Sequence, residues 1–374
     1  LCFDLSSNAF GRAWLLAKAL SRVYDVEIIG TSRKGGIWAP MAHSKIPVKE
    51  FMWDRYPKFS RVKKNILDAI DGDLILASKL MPTSFGIGLQ KKYSSGKPLI
   101  VDIDDWELGF FYHSGFWGGV GRFLNFSNPN GLPYVWRIER LVGEADAVSV
   151  SNRFLQKKFK GALLPHCRDT SVLDPQKFNP DEMKERIGLA DKKVVMFLGT
   201  PRPHKGLDDL LAAFKKIGDL NVKLVIIGAE NQQEFLKRVD HSIRESVVVL
   251  PKTPFQKLPE LLSAADILAI PQRRTSDSVG QIPARLFDAM SMAKPIIATR
   301  VSDIPEVLDN CGYLVDPNKP SQLADAIKYI LNHSDEARVK GDAARARCRQ
   351  KYDIHNLESG LSGLIEQVIA KKAN

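Results

Sequence analysis

The sequence predicts an α/β protein built from two doubly wound parallel sheets. Strand-like and helix-like segments alternate along the whole chain, the pattern that parallel sheets with crossover helices produce. Most strand candidates are continuous apolar runs rather than alternating ones, as a sheet covered on both faces requires. The chain has 374 residues, enough for two domains of ordinary size.

Taken in order, "LCFDL" reads as the interior of a first strand, and because the chain starts at Leu1 rather than Met, a few residues are expected to precede it. Further strands are predicted at 26–30, 74–77, 98–103 and 147–151 in the first half. In the second half they are predicted at 194–199, 222–228, 246–251, 266–271, 294–299 and 312–316. Between the halves, residues 163–183 are polar and hold three prolines, which marks an interdomain linker. The spacing predicts helix from Lys319 to the end, closing in an amphipathic segment at 356–373 with Leu357, Leu361, Leu364, Ile365 and Val368 on one face. The predicted domains are 1–170 and 171–350, with a separate terminal helix at 351–374. In such sheets ligands bind at the carboxyl ends of the strands, at the topological switch point, so a cleft between the two sheets is the expected site.

Composition narrows the class. The chain is 44% hydrophobic and 26% charged, as in globular proteins. No apolar run reaches the roughly 20 residues of a membrane helix, and no secretory signal is evident. Cys2, Cys167, Cys311 and Cys348 are scattered without metal spacing, so free thiols in a reducing, cytoplasmic compartment are expected. The formal net charge is +11. A basic first half suits nucleic acid, an anionic bilayer or phosphorylated ligands, or is merely a soluble basic surface.

Two loops carry chemistry. The first lies in "VVMFLGTPRPHKGLDDLLAAF" (194–214), a buried strand joined to an amphipathic helix by a short loop with Gly199, Arg202, His204, Lys205 and Gly206. The helix start offers unbonded amides. Arg202 forks onto phosphate oxygens, and Lys205 adds a point charge. The loop therefore suits a phosphate or diphosphate; the plainer reading is solvated charges paired with Asp208 or Asp209. His204 is expected to be neutral and nearly dispensable. The second loop lies in "RRTSDSVGQIPARLFDAMSMAKPIIATR" (273–300). There Gly280 opens a polar loop whose amides suit a diphosphate, and Arg285 and Asp288 lie on the helix face opposite Leu286, Phe287 and Met290. A carboxylate at 288 suits a ribose; the alternative is an ion pair with Arg285 on a wet face.

In the first half, "DIDDWE" (102–107) sits at a strand end. Its carboxylates suit Mg²⁺ by spacing, a sugar or acceptor contact by position, or simple helix capping. The stretch 108–137 is glycine-rich and aromatic, suited to stacking on an acceptor sugar or covering a lipid tail, or an ordinary loop. Upstream, "RYPKFSRVKKN" (55–65) interleaves bases with aromatics, which suits an anionic bilayer or a solvated helix face.

The blocks "FLGTPRPHKGLDDLLAAF", "VKLVIIGAE", "LPELLSAADILAIP" and "IPARLFDAMSMAKPIIATRVSDIPEVLDNCGYLVDP" resemble the nucleotide-sugar half of a retaining GT-B glycosyltransferase of family 4. The likeness covers residues 146–345 well and the first half more loosely. It implies the GT-B fold, two Rossmann-like doubly wound domains facing a central cleft. The first would take the acceptor, the second the nucleotide sugar, and the last helix would pack back on the first. It implies transfer of a sugar from a nucleoside-diphosphate sugar to a saccharide, lipid-linked or small-molecule acceptor in polysaccharide biosynthesis, with no metal and no nucleic acid. Lys205 matches the diphosphate lysine, Asp288 the ribose acid and Gly11 the glycine loop of the first domain. Three positions depart from the pattern. Thr200 stands where an arginine is usual, so Arg202 is the expected substitute. Gly280 stands for the first acid of Glu-x7-Glu. Asp104 stands for a strand-end histidine. The expected catalytic set is Arg202, Lys205 and Asp104. The expected donor contacts are Gly11, Gly199, Thr200, Gly280, Gln281, Ile282, Arg285 and Asp288, with Asp105, Trp106 and His113 toward the acceptor. Cytoplasmic location with contact to the inner membrane face is expected. The alternatives are a nucleotide-sugar epimerase, for which His113, His166 and His204 form no obvious set, and a non-catalytic nucleotide-sugar-binding homologue.

Overall fold

The computed structural model describes residues 1–42, 45–111, 121–229 and 231–373. It divides into two units, Leu1–His166 with His355–Asn374, and Cys167–Ile354.

The second unit is a six-stranded parallel sheet. Its strands are β7 (Lys193–Leu198), β8 (Val222–Ile227), β9 (Val247–Leu250), β10 (Ile267–Ile270), β11 (Ile296–Thr299) and β12 (Tyr313–Val315). They lie in the order β12-β11-β10-β7-β8-β9. The run of apolar residues in β7 has a direct cause. Val194 and Met196 enter one core with Leu286, Phe287 and Met290, while Val195 and Phe197 enter the opposite core with Leu207, Leu210 and Phe214. Successive side chains of a strand point to opposite faces, so both parities must be apolar. The chain leaves β7 toward β8 and β9, then returns to β10 on the other side. The switch point therefore falls between β7 and β10, which pair through Ile267↔Val195 and Leu268↔Met196. The loops following these two strands meet there.

The first unit uses the same logic. Its strands are β1 (Ile28–Ser32), β2 (Val48–Met52), β3 (Ile75–Ser78), β4 (Leu99–Ile103), β5 (Ala147–Val150) and β6 (Ala162–Leu163). Cys2 bridges Gly30 on one side and Ser78 on the other, both in parallel. The first residues thus join the β1–β2 pair to β3-β4-β5-β6. The approach is close: a Cβ on Gly30 would lie 2.5 Å from the Cys2 carbonyl oxygen. Of the predicted first strand, the structure has one bridged residue, Cys2, and no continuous strand. Neither β2 nor β6 was foreseen, because β2 is a half-exposed edge with Lys49 and Glu50 outward and β6 has two residues.

The terminal helix Ile354–Ala373 falls almost wholly in the first unit. Leu357, Leu361, Ile365 and Val368 are buried, Glu358 pairs with Arg22 at 2.8 Å, and Gly360 lies so close to Leu164 that a Cβ would sit 2.5 Å from its Cδ2. None of the four cysteines forms a disulfide. Among the described residues no helix is long and apolar enough to cross a membrane.

Candidate functional site

At the switch point of the second unit, β7 ends at Leu198 and the chain turns through Gly199 at φ +115°. A 3-10 turn, Pro203–Lys205, leads into Gly206 at φ +68° and then the helix Leu207–Ile217. Gly206 is obligatory on two counts. Its φ is one that side-chain-bearing residues rarely adopt, and a Cβ there would lie 1.7 Å from the carbonyl oxygen of Pro271. Gly228, after β8, has φ +110° and packs on the Gly199–Thr200 peptide, with a Cβ falling 3.0 Å from the Gly199 carbonyl carbon.

The loop after β10 clamps the loop after β7. Arg273 donates its backbone N–H to the His204 carbonyl at 2.8 Å and, through Nε and Nη2, two parallel bonds to the Asp209 carboxylate at 2.7 Å. His204 is buried, with Nδ1 2.9 Å from Asp277 Oδ2. His204 is thus a tie between the two loops rather than a loose ring among bases.

Arg285, first residue of the helix Arg285–Ser291, is the unusual group. It is buried, its guanidinium lies 4.7 Å over the Phe197 ring, and Nη1 donates to the Leu198 carbonyl at 2.9 Å. Nε and Nη2 are buried and make no hydrogen bond among the described residues. Burial lowers its pKa to about 10, with no carboxylate opposing. A point one bond from the Gly199 Cα lies 3.1 Å from Lys205 Nζ and 3.6 Å from Arg285 Nη1. A lysine and a guanidinium with spare N–H groups therefore converge on bare backbone at a strand end. A buried donor left unpaired costs about 1–3 kcal/mol, and an oxyanion with several oxygens removes that cost.

The other expected donor residues divide. Thr200 follows Gly199 in this turn. Gly280 caps the short helix Ser276–Val279 with an ordinary φ of −91°, and Gln281 donates its N–H to Ser278. Ile282 is corrected to a core residue beside Leu286 and Phe287. Arg202 is exposed.

Asp288 is also corrected. It is not on a wet face and does not pair with Arg285. It is buried, and both of its oxygens are held by Arg168, through Nε and, at 3.1 Å, through Nη2. Arg168 also donates to the Cys167 and Ala284 carbonyls. Burial opposes its charge, yet the Asp288 carboxylate holds its pKa above the ordinary value. Asp288→Asn is accordingly expected to lower stability by about 2 kcal/mol, read as a fall in Tm. A variant with unchanged Tm and lost nucleotide binding would return Asp288 to ribose binding.

In the first unit the strand-end carboxylates surround a lysine that the sequence reading missed. Lys79 follows β3 at φ +71°. Its buried ammonium lies 2.8 Å from Asp104 and 3.2 Å from Glu107, and bonds Asp105. Burial raises the Glu107 carboxyl to about 7, against the Lys79 charge. Asp104, expected in the catalytic set, is buried and paired with Lys79, whose ammonium stands among the carboxylates whose spacing suits Mg²⁺. Among the described residues no group of His, Cys, Asp and Glu is arranged to hold a metal. Trp106 is no open stacking platform: its Nε1 donates to Glu139 at 3.2 Å, Lys158 lies over its ring at 5.0 Å, and Phe154 packs at 5.6 Å. Gly11 lies in the first turn of the helix Phe10–Leu20, where a Cβ would meet only Trp38, at 3.5 Å. Beside it Arg12 forks onto buried Asp102 at 2.8 and 2.9 Å. His113 lies outside the described residues.

Known proteins match this description. Residues 192–333 match the family model described as glycosyl transferases group 1. Over 224 residues the chain is 29% identical to the GDP-mannose-dependent alpha-(1-6)-phosphatidylinositol monomannoside mannosyltransferase of Mycolicibacterium smegmatis, covering 56% of this chain and 59% of that one. The match thus spans less than two thirds of that relative's length. Among solved structures, Anabaena Alr3699/HepE in complex with UDP and glucose aligns at TM-score 0.77 and 16% identity, covering 97% of this chain and 98% of that one. Sucrose-phosphate synthase from Thermosynechococcus elongatus aligns at 0.75 and 16%, covering 99% and 96%. The fold is GT-B, with two Rossmann-like units.

Proposed function

We propose that the chain transfers a sugar from a nucleoside-diphosphate sugar, with the donor diphosphate lying on the Gly199–Thr200 backbone between Lys205 and Arg285. One observation carries this reading: the buried Arg285 guanidinium, whose Nε and Nη2 have no hydrogen-bond partner among the described residues and whose pKa is lowered by burial with no carboxylate among them opposing it. A guanidinium left in that state asks for an anion, and a second cation, Lys205, stands with it beside the bare backbone of Gly199. The likeness of residues 192–333 to glycosyl transferases group 1 and the UDP held by a structural neighbour support the choice of anion. The acceptor we propose is a saccharide or a lipid-linked one; the phosphatidylinositol monomannoside named for a relative supports the latter.

Charge grows on the leaving diphosphate as the bond to the sugar breaks, and fixed cations lower the barrier most when aimed there. Lys205 and Arg285 supply two such cations, so turnover is proposed to need no divalent metal. Retention of anomeric configuration belongs to the same proposal and is supported by the family resemblance alone.

The test is a thermal-shift screen of UDP-, GDP-, ADP- and TDP-sugars. The matching donor at 100 times its Kd is expected to stabilise the protein by about 2.7 kcal/mol. The shift should persist in a chelator and should shrink in Arg285→Ala. If no nucleotide sugar raises Tm, the reading fails. If a chelator abolishes turnover and Mg²⁺ or Mn²⁺ restores it, the metal-free part fails.

A further inference from the structure

One face of the first unit joins two stretches that the proposed chemistry does not use. The segment 121–131, helical at 121–123 and irregular after it, bonds to the segment before the helix Phe59–Ala69. Tyr56 donates its N–H to the Ser127 carbonyl at 2.8 Å, and Arg55 donates to Ser127 Oγ at 2.9 Å. It also bonds to the helix Leu132–Arg140, where Tyr134 donates its hydroxyl to the Phe126 carbonyl at 2.9 Å. Tyr56 and Tyr134 pack with ring centroids 5.7 Å apart.

Large apolar side chains stand in water here: Phe123 is 47% exposed, Leu124 63%, Phe126 52% and Trp136 42%. Bases surround them. Arg122, Arg137 and Arg140 are exposed, as are Arg55, Lys58 and Arg61, and Arg140 lies 3.4 Å over the Trp136 ring. Residues 55–67 and 121–138 contain no acid. The nearest acid on the second helix, Glu139, is engaged by Trp106 and Lys158, while Asp54 and Asp68 flank the first stretch. Exposed aromatics ringed by arginines with no interleaved carboxylates repel a basic partner and suit an apolar phase under a layer of negative charge.

We infer that this face docks on an anionic phospholipid bilayer, with Phe123, Leu124, Phe126 and Trp136 entering the headgroup boundary and the arginines on lipid phosphates. Charge complementarity selects that occupant over a second copy of this chain, whose identical face would bring arginine against arginine. The inference does not depend on the donor site.

The test is co-sedimentation of the full chain with vesicles of phosphatidylcholine alone and of equal phosphatidylcholine and phosphatidylglycerol. Binding is expected only with phosphatidylglycerol, and to fall as salt rises from about 0.05 to about 0.5 M. The double variant Phe123→Ser/Phe126→Ser and the triple variant Arg122→Gln/Arg137→Gln/Arg140→Gln should each bind about tenfold more weakly or worse. Arg153→Gln/Lys157→Gln/Lys160→Gln, which removes bases from another helix of the same unit, should bind nearly as the parent does. The altered side chains are exposed, so a matching Tm shows each variant folded. Equal binding to both vesicles, unchanged binding by the patch variants, or loss in the control triple variant would overturn the inference. So would a dimer that dissociates in Phe123→Ser/Phe126→Ser.

Discussion

Arg285→Ala is expected to lower kcat by about 10²- to 10³-fold, the usual cost of removing one preorganised charge contact to a developing oxyanion. The guanidinium is fixed before the donor arrives: Phe197 supports its face and the Leu198 carbonyl holds one nitrogen. Two nitrogens are left for ligand, and little reorganisation is needed at the moment of bond breaking. Arg285→Lys should rescue only part of the loss, because an ammonium cannot keep the Leu198 bond and present two parallel donors. Lys205→Ala should cost about 10²-fold by the same argument. Arg202→Ala should be close to the parent, since its side chain is exposed. Steady-state kinetics on the four variants, with Tm as the folding control, decides the matter. A normal Arg285→Ala beside a crippled Arg202→Ala would mean that the diphosphate sits elsewhere on this loop.

The second large effect is conformational. Gly206→Ala should lose about 3 kcal/mol or more, by strain at positive φ and by overpacking. The added carbon would lie 1.7 Å from a backbone oxygen, that of Pro271, so the loops after β7 and β10 must move apart. They are the loops that Arg273 and His204 tie together, so donor binding should fall with stability. Gly218 supplies the matched control. It closes the same helix at φ +66°, but a Cβ there meets nothing within 4 Å, so Gly218→Ala should cost only about 1 kcal/mol. Thermal melts of both variants separate the close approach from the dihedral. Equal melting temperatures would show that the contact with Pro271 is not what demands glycine.

The sheets and the glycine- and lysine-bearing loop after β7 were legible because they rest on local pattern. Strands with two covered faces must be apolar at both parities, and β7 and β8 say so residue by residue. The glycine at 199 and the lysine at 205 were legible for the same reason. What failed was pairing across distance. Asp288 was expected to stay free or to pair within its own helix, whereas its partner Arg168 lies in the stretch read as linker. Asp104 and Asp105 looked like open carboxylates because Lys79, at the end of a different strand, carries no local signature. The choice of Arg202 over Arg285 as the second diphosphate cation rested on nearness in sequence. The proposed role of Arg285 comes instead from the fold, where the helix following the β10 loop starts beside the end of β7. The edge strand β2 was missed because its exposure allows charged residues.

The first unit is discontinuous in the chain, and the second is one unbroken stretch inserted into it. This orders events during synthesis. Residues 167–354 are complete and able to close their own core while the first unit still lacks the helix that buries Leu357, Leu361, Ile365 and Val368. Until that helix leaves the ribosome, the unit built first waits with an uncovered apolar surface. A premature stop just after residue 354 would therefore spare the later-made unit and harm the earlier-made one. Chaperone demand should concentrate on the beginning of the chain even though the lesion lies at its end.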